Sequence, residues 1–323
     1  MAPASTNHRM GRAAWAYLFA LAFLWSGVFL LTKIALADMR PFTVVALRLG
    51  LGAIVLHVVV LPSGARMPSA PRTWAAFAGM GALNNFAPFC LIAWGQTHID
   101  SGLAAILIAT TPLFTVLLAH VCTHDERMTP NRLGGVLLGI VGVAVTIGPD
   151  ALTGLTTNVP GQIAILGAAF CYACAGIFGR RFRAMPPTIT ATGQVTAAAL
   201  MVLPFALVFD RPWALPMPGM TAWAAVISAA VFCTALGYAL YFRILVTAGA
   251  TNLLLVTLLM PAGAVLLGMG VLGEHLRAGE IVGMAMIGLG LLAIDGRLLA
   301  LVRPGGPIPT FATRPSGESA HNQ

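Results

Sequence analysis

The chain has 323 residues, of which 58% are hydrophobic and only 9% are charged, and its formal net charge is +8. Its mean hydropathy is +0.88. A water-soluble core cannot bury this much apolar surface, so the composition excludes an ordinary globular protein and predicts a membrane-embedded one. The sequence lacks the alternating strands of about ten residues that form membrane β-barrels, so we predict helical spans.

Ten apolar segments are each long enough to cross a membrane as a helix, which requires roughly 20 residues. The connections between them are short, and none has room for a soluble domain. We therefore predict an all-α integral membrane protein with ten transmembrane helices. In chain order, the predicted spans are at about 14–36, 41–61, 73–96, 99–121, 131–149, 160–180, 188–209, 221–243, 250–272 and 279–299.

The features of residues 99–148 return in the second half of the chain. Pro112 corresponds to Pro261 at an offset of 149 residues, and Glu126 corresponds to Glu274 at an offset of 148. A shared order of features at nearly constant offset predicts two copies of one five-helix unit. The offset of 148 also relates three glycine pairs, Gly135 and Gly283, Gly142 and Gly290, and Gly148 and Gly296.

The two copies divide the chain into five parts. We predict a cytoplasmic N-terminal segment (1–13), a first repeat (14–149), a connecting loop (150–159), a second repeat (160–300) and a disordered cytoplasmic tail (301–323). Each repeat has five spans, an odd number. The second repeat therefore enters the membrane from the opposite side, and the repeats are inverted.

The basic residues predict the orientation. With the N terminus in the cytoplasm, thirteen of the eighteen basic residues fall in cytoplasmic segments. Arg40, Arg211 and Arg277 fall outside, and Lys33 and Arg48 fall within spans. This positive-inside bias predicts a multi-pass protein of a bacterial-type cytoplasmic membrane with both termini cytoplasmic. The basic balance suggests contact with anionic membrane lipid, whereas no folded basic domain is present to bind nucleic acid.

Short motifs recur along the chain from 14 to 300. They are Trp25-Ser26-Gly27, Pro41, Arg48, the Pro112 and Glu126 pair, and the Pro261 and Gly273-Glu274 pair. With these motifs, the sequence resembles the ten-span EamA-type members of the drug/metabolite transporter superfamily, although many members have Trp-Gly where this chain has Trp25-Ser26. The resemblance implies a central cavity lined chiefly by spans 1, 3, 4, 6, 8 and 9, and it is closest in kind to bacterial amino-acid and metabolite exporters.

Inverted repeats place a binding site near the bilayer midplane. Polar and aromatic side chains at that depth are the candidates, although each could instead bond a neighbouring helix or its own backbone. Pro112 and Pro261 interrupt equivalent spans and are candidate hinges, or simple kinks. The candidate substrate-binding residues are Trp25, Asn84, Asn85, Thr110, Thr111, Tyr172, Thr234, Tyr238, Asn252 and Thr257.

Lys33 and Arg48 lie in the outer half of the predicted membrane. A buried cation attracts the carboxylate of a solute, but it can also reach the interface and fix a helix end. We favour the structural role for both. The five cysteines are interpreted as small apolar residues, so no metal site and no cofactor are predicted.

The sequence favours secondary or facilitative transport. It has no Gly-x-x-x-x-Gly-Lys-[Ser/Thr] loop for ATP. Its ten acidic residues fall in loops, tails or span ends, so none carries a proton at midmembrane. We predict export of small neutral or zwitterionic metabolites, foremost amino acids, by alternating access.

Other functions remain open at this point. Within the same superfamily, the cargo could be a drug or organic cation, a nucleoside or a sugar metabolite. A non-transporting scaffold is a further alternative. A membrane enzyme is disfavoured, with no catalytic residues predicted, because the sequence has neither a Gly-x-Ser-x-Gly nor a His-Glu-x-x-His motif. The oligomeric state is open, and a monomer is plausible.

Overall fold

The computed structural model describes residues 12–122, 129–148, 158–182, 184–253 and 255–294. Within these ranges every regular element is helical, nine helices are long and apolar enough to span a membrane, and a shorter apolar helix follows them. The predicted all-α, ten-span fold is confirmed. We name the spans α1 to α10: Ala13–Ala35, Pro41–Val60, Pro71–Gly95, Ser101–Cys122, Pro130–Ile147, Val159–Phe182, Pro187–Ala214, Met220–Ile244, Leu255–Leu272 and Ala278–Ile294.

Local sequence explains the start of four helices. Proline is the first residue of α2, α3, α5 and α7, a position where its missing N–H costs no hydrogen bond. The predicted connection between the eighth and ninth spans, at about 244–249, is wrong, because helix continues from Gly237 to Leu253. Gly249 is the only helix-breaking residue in that stretch, and a single glycine costs only about 1 kcal/mol in a helix.

Helices α5 and α10 pack closely through their glycines. A Cβ atom added to Gly283 would lie 2.6 Å from the carbonyl oxygen of Gly142, and one added to Gly290 would lie 2.6 Å from that of Gly135. Small residues allow this close backbone approach within a membrane. Gly135 and Gly283 are equivalent in the repeat, as are Gly142 and Gly290. The two contacts are therefore reciprocal, as expected for two copies related by an approximate two-fold axis.

Carboxylates connect the two halves at one membrane face, which holds residues 36–40 and 273–277 and which we call the Asp38 face. Glu274 accepts hydrogen bonds from the backbone N–H groups of Ser101, at 2.8 Å, and Gly102, at 3.0 Å. Asp38 accepts one from the N–H of Gly219, at 2.9 Å, immediately before α8. Both carboxylates bind unpaired N–H groups at the start of a helix from the other half, where the helix dipole also favours negative charge.

Two further charged side chains bind helix ends at this face. Asp210 accepts hydrogen bonds from the N–H of Thr43, at 2.6 Å, and from its hydroxyl, at 2.9 Å. The ammonium group of Lys33 donates to the carbonyl oxygens of Gln96 and Ile99, each at 2.8 Å, just beyond the end of α3. The contacts of Lys33 fit the structural role that we favoured for it.

Several predicted features lie outside the described residues. They are Glu126, which is the repeat equivalent of Glu274, most of the 1–13 segment, nearly all of the 150–159 loop, and the 301–323 tail.

Candidate functional site

The equivalent helices α3 and α8 each contain a π-helical segment. These segments are Ala82–Phe86 in α3 and Ala229–Leu236 in α8. A π-helical turn interrupts the regular hydrogen-bond pattern of an α-helix and often marks a functional site. Asn84 and Asn85 lie in the first segment and Thr234 lies in the second, so three predicted site residues are carried by irregular backbone.

The amide side chains of α3 form a hydrogen-bonded cluster with the second half of the chain. The hydroxyl of Tyr238 accepts from Nδ2 of Asn84, at 3.2 Å, and from Nδ2 of Asn85, at 3.1 Å. Nδ2 of Asn84 also donates to Oε1 of Gln194, at 3.2 Å. Asn85 is completely buried, and its Oδ1 accepts no hydrogen bond from the described chain. A buried amide oxygen without a donor is unusual and calls for an explanation.

Arg48 reaches the same cluster from α2. Its Nε donates to Oγ1 of Thr234, at 3.1 Å, and its guanidinium carbon lies 4.0 Å from the ring centroid of Phe89. Its electrostatic neighbours in the described chain include Tyr172 and Tyr238 but no carboxylate. A charged side chain within a membrane span is costly, and such residues commonly serve a function.

The cluster follows the internal repeat. Arg48 and Gln194 each lie seven residues after the proline that begins their helix, and Asn85 and Thr234 each lie fourteen residues after the first residue of theirs. Arg48 contacts Thr234, while Gln194 contacts Asn84, so the contacts across the interface are nearly reciprocal. The charge differs between the halves, because one half contributes an arginine where the other contributes an amide.

Two predicted aromatic residues lie beside this cluster. Nε1 of Trp25 donates to the carbonyl oxygen of Cys233, at 3.2 Å, and its ring stacks on Tyr241 with 5.8 Å between centroids. Tyr172 packs against the two largest hydrophobic clusters of the protein. The structure therefore brings together six of the predicted residues, Trp25, Asn84, Asn85, Tyr172, Thr234 and Tyr238.

The hydrogen bonds of two other candidates stay within their own helix. The hydroxyl of Thr110 donates to the carbonyl oxygen of Leu107, at 2.6 Å, and that of Thr111 donates to the carbonyl oxygen of Ile108, at 2.7 Å. Pro112 has no N–H to bond the Ile108 carbonyl, so the Thr111 hydroxyl replaces the missing backbone donor. In the described structure, Thr110 and Thr111 each bond the backbone of their own helix, which was the alternative to substrate binding for both.

The two candidate hinge prolines have different surroundings. Helix α4 is interrupted at residues 109–110, immediately before Pro112, whereas Pro261 lies inside a continuous helical stretch, Leu255–Leu267. The two halves therefore differ at equivalent positions.

The last two candidate binding residues belong to the second half. Thr257 is half-buried on the Leu255–Leu267 stretch of α9, and the side chain of Asn252 lies outside the described residues.

Two members of the cluster were not predicted as site residues. Arg48 was interpreted as structural, because sequence alone cannot distinguish a cation that reaches the interface from one that faces a neighbouring helix. Gln194 was not considered at all. Its spacing of seven residues from Pro187, the same as that of Arg48 from Pro41, is a signal that could have identified the pair.

Comparison with known proteins agrees with this architecture. The chain is 24% identical over 286 residues to the uncharacterized transporter YyaM of Bacillus subtilis, covering 87% of this chain and 93% of the relative. It is 28% identical over 280 residues to a protein of Salmonella typhimurium named a probable amino-acid metabolite efflux pump, covering 83% of this chain and 90% of that protein. A solved crystal structure shares the fold with a TM-score of 0.64 and 22% identity, covering 90% of this chain and 99% of the other.

The sequence profile of the EamA-like transporter family matches this chain twice, over residues 13–148 and 159–294. The two matches fall on the two halves that meet at the polar cluster. This multi-pass membrane protein therefore belongs to the EamA-like transporter family.

Proposed function

We propose that this transporter exports small zwitterionic metabolites, with neutral and aromatic amino acids as the leading candidates, through a site formed by the Asn85 and Tyr238 cluster. The observation that carries the proposal is the buried Oδ1 of Asn85, which accepts no hydrogen bond from the described chain although it lies where the two halves meet. A polar solute supplies the missing donor. The name of the Salmonella relative supports the amino-acid class.

The transport mechanism is downhill efflux or exchange. Every described carboxylate lies at a helix end or in a connection, and none is hydrogen-bonded to the described members of the polar cluster, which argues against a proton-carrying carboxylate there. These residues are Asp38, Asp100, Asp210, Glu274 and Glu280. The guanidinium group of Arg48 also repels a cationic solute, which argues against export of organic cations through this cluster.

Alternating access requires the two halves to exchange conformations. The positive-inside pattern supports an extracytoplasmic Asp38 face in a bacterial-type cytoplasmic membrane, with both termini in the cytoplasm. In this orientation, the hydrogen bonds of Glu274 and Asp210 to the other half close the extracytoplasmic side of the site. The difference between Pro112, at a break, and Pro261, in a continuous helix, supports a hinge role for this equivalent pair.

Counterflow into liposomes that contain the purified protein tests the proposal. Amino acids, nucleosides and organic cations are compared, and we expect flux of neutral amino acids above that of protein-free liposomes. Asn85→Ala and Tyr238→Ala are expected to slow this flux at least about tenfold, since each removes buried hydrogen bonds. The control, Thr247→Ala, changes an exposed hydroxyl that bonds only its own helix. Absence of amino-acid flux, or full activity of both cluster variants, contradicts the proposal.

A further inference from the structure

We propose that Arg48 binds the carboxylate of the transported solute while Oδ1 of Asn85 accepts a hydrogen bond from its ammonium group. The site would then recognise the two charged groups of an α-amino acid. This inference rests on the proposed export function and specifies the chemistry of its site.

Arg48 has hydrogen-bond donors that the described chain does not use. A guanidinium group has five N–H donors, and only Nε–H is used within the described chain, toward Thr234. The face of the group is covered by the ring of Phe89, at 4.0 Å, which stabilises the cation by a cation–π contact. The two terminal nitrogens remain at the edge of the plane, in the fork geometry that binds a carboxylate through two hydrogen bonds.

The described neighbours of Arg48 include no counter-charge. An arginine with a purely structural role inside a membrane is expected to pair with a carboxylate or with backbone carbonyls, as Lys33 does with Gln96 and Ile99. The described surroundings of Arg48 instead contain a hydroxyl, a phenyl ring and two tyrosines. A solute carboxylate supplies the negative charge that these described surroundings lack.

Arg48 and Asn85 share one neighbour, the hydroxyl of Tyr238. Asn85 donates to this hydroxyl, at 3.1 Å, and Tyr238 is also an electrostatic neighbour of Arg48. The donors of Arg48 and the unused Oδ1 of Asn85 therefore belong to one polar cluster around this tyrosine. The carboxylate and ammonium groups of an α-amino acid are separated by a single carbon atom, so one solute can satisfy both.

The two repeats contribute different charges to the site. Arg48 and Gln194 occupy equivalent positions, but only Arg48 is charged. A symmetric pair of arginines would suit a dianion, whereas one arginine compensates one carboxylate. Gln194 already accepts a hydrogen bond from Asn84, at 3.2 Å. Its amide is uncharged, so the position equivalent to Arg48 adds no second positive charge to the site. The asymmetry therefore favours a solute with one carboxylate and fixes its orientation.

Competition in the counterflow assay tests the inference. Flux of labelled phenylalanine is competed with unlabelled phenylalanine and with its carboxamide, which keeps the ammonium group and the ring but lacks the carboxylate. For the wild-type protein we expect the free acid to compete at least about tenfold better, because charge-assisted hydrogen bonds are lost with the amide. In Arg48→Gln, which gives α2 the residue found at the equivalent position of α7, the ratio is expected to fall close to one.

Two controls separate recognition from folding. Arg243→Gln removes an exposed arginine that lies 5.3 Å from the ring of Tyr17, and it should keep the wild-type ratio. Arg48→Lys keeps the charge without the fork and should give an intermediate ratio. If Arg48→Gln shows no flux, the same competition is measured as protection of the purified variant against thermal unfolding.

The possible results are distinct. A wild-type ratio near one, or an unchanged ratio in Arg48→Gln, overturns the carboxylate assignment while amino-acid transport stands. Absence of any amino-acid flux by the wild-type protein overturns the proposed function together with this inference.

Discussion

Replacing Gly283 with alanine is expected to destabilise the packing of α5 against α10. The added Cβ would lie 2.6 Å from the carbonyl oxygen of Gly142 and 2.9 Å from the backbone nitrogen of Thr146, whereas ordinary contacts of this kind are 3.4–4 Å. Both neighbouring atoms belong to the backbone of α5 and cannot rotate away. The two helices must therefore separate by roughly 1 Å or bend, which is the type of overpacking that costs about 1–3 kcal/mol.

The expected net effect is smaller because alanine is the better helix former. Its higher helix propensity returns about 1 kcal/mol, which leaves a net loss of about 0–2 kcal/mol. Gly135→Ala is expected to cost a similar amount, because Gly135 is the repeat equivalent of Gly283 and approaches the backbone of Gly290 in the same way. Gly134 and Gly288 have no atom within 4 Å of an added Cβ, so alanine there should be neutral or slightly stabilising.

Thermal unfolding of the purified variants in one detergent measures these differences. We expect Gly283→Ala and Gly135→Ala to unfold several degrees below Gly288→Ala and Gly134→Ala. The reasoning is refuted if Gly283→Ala is as stable as Gly288→Ala. If only one of Gly135→Ala and Gly283→Ala is destabilised, the reciprocal packing of the two repeats is refuted.

Three other predictions follow from the contacts between the halves. Glu274→Gln should lower the unfolding temperature more than Glu280→Gln, because Glu274 joins two halves whereas Glu280 accepts a hydrogen bond at the start of its own helix; equal losses would contradict this role. Trp25→Phe should cost about 1 kcal/mol in the same assay through loss of its hydrogen bond to the Cys233 carbonyl, and an unchanged unfolding temperature would argue against that contact. A protonophore should leave amino-acid counterflow unchanged, and flux that requires a pH gradient would refute transport without proton coupling.

The membrane-protein class, the number of spans and the internal repeat were predictable because each depends on a pattern that extends over a long part of the sequence. About twenty apolar residues define a span whatever its neighbours are, and Pro112 and Pro261 are recognisable as equivalents from their offset alone. The helix at 244–249 was predicted as a connection because this short stretch contains a glycine, which has a low helix propensity. The starts of α2, α3, α5 and α7 follow from proline at the first helical position.

The partners of individual polar side chains were less predictable. Thr110 and Asn85 are both polar groups at midspan depth, yet Thr110 bonds its own backbone and Asn85 faces Tyr238 from the other half. Which of these occurs depends on helix rotation and on the π-helical segments of α3 and α8, and neither follows from residue type. Arg48 was assigned a structural role for the same reason, because its depth was evident from the sequence but its direction was not.

Binding of a neutral amino acid to the purified protein tests most directly that the cluster between the halves is the solute site. A ligand present at ten times its Kd stabilises the folded state by about 1.4 kcal/mol, enough to raise the unfolding temperature by a measurable few degrees. We predict this rise for the wild-type protein and for Thr247→Ala, and its loss in Tyr238→Ala. A rise of the same size in Tyr238→Ala, or none in the wild-type protein, would contradict the account.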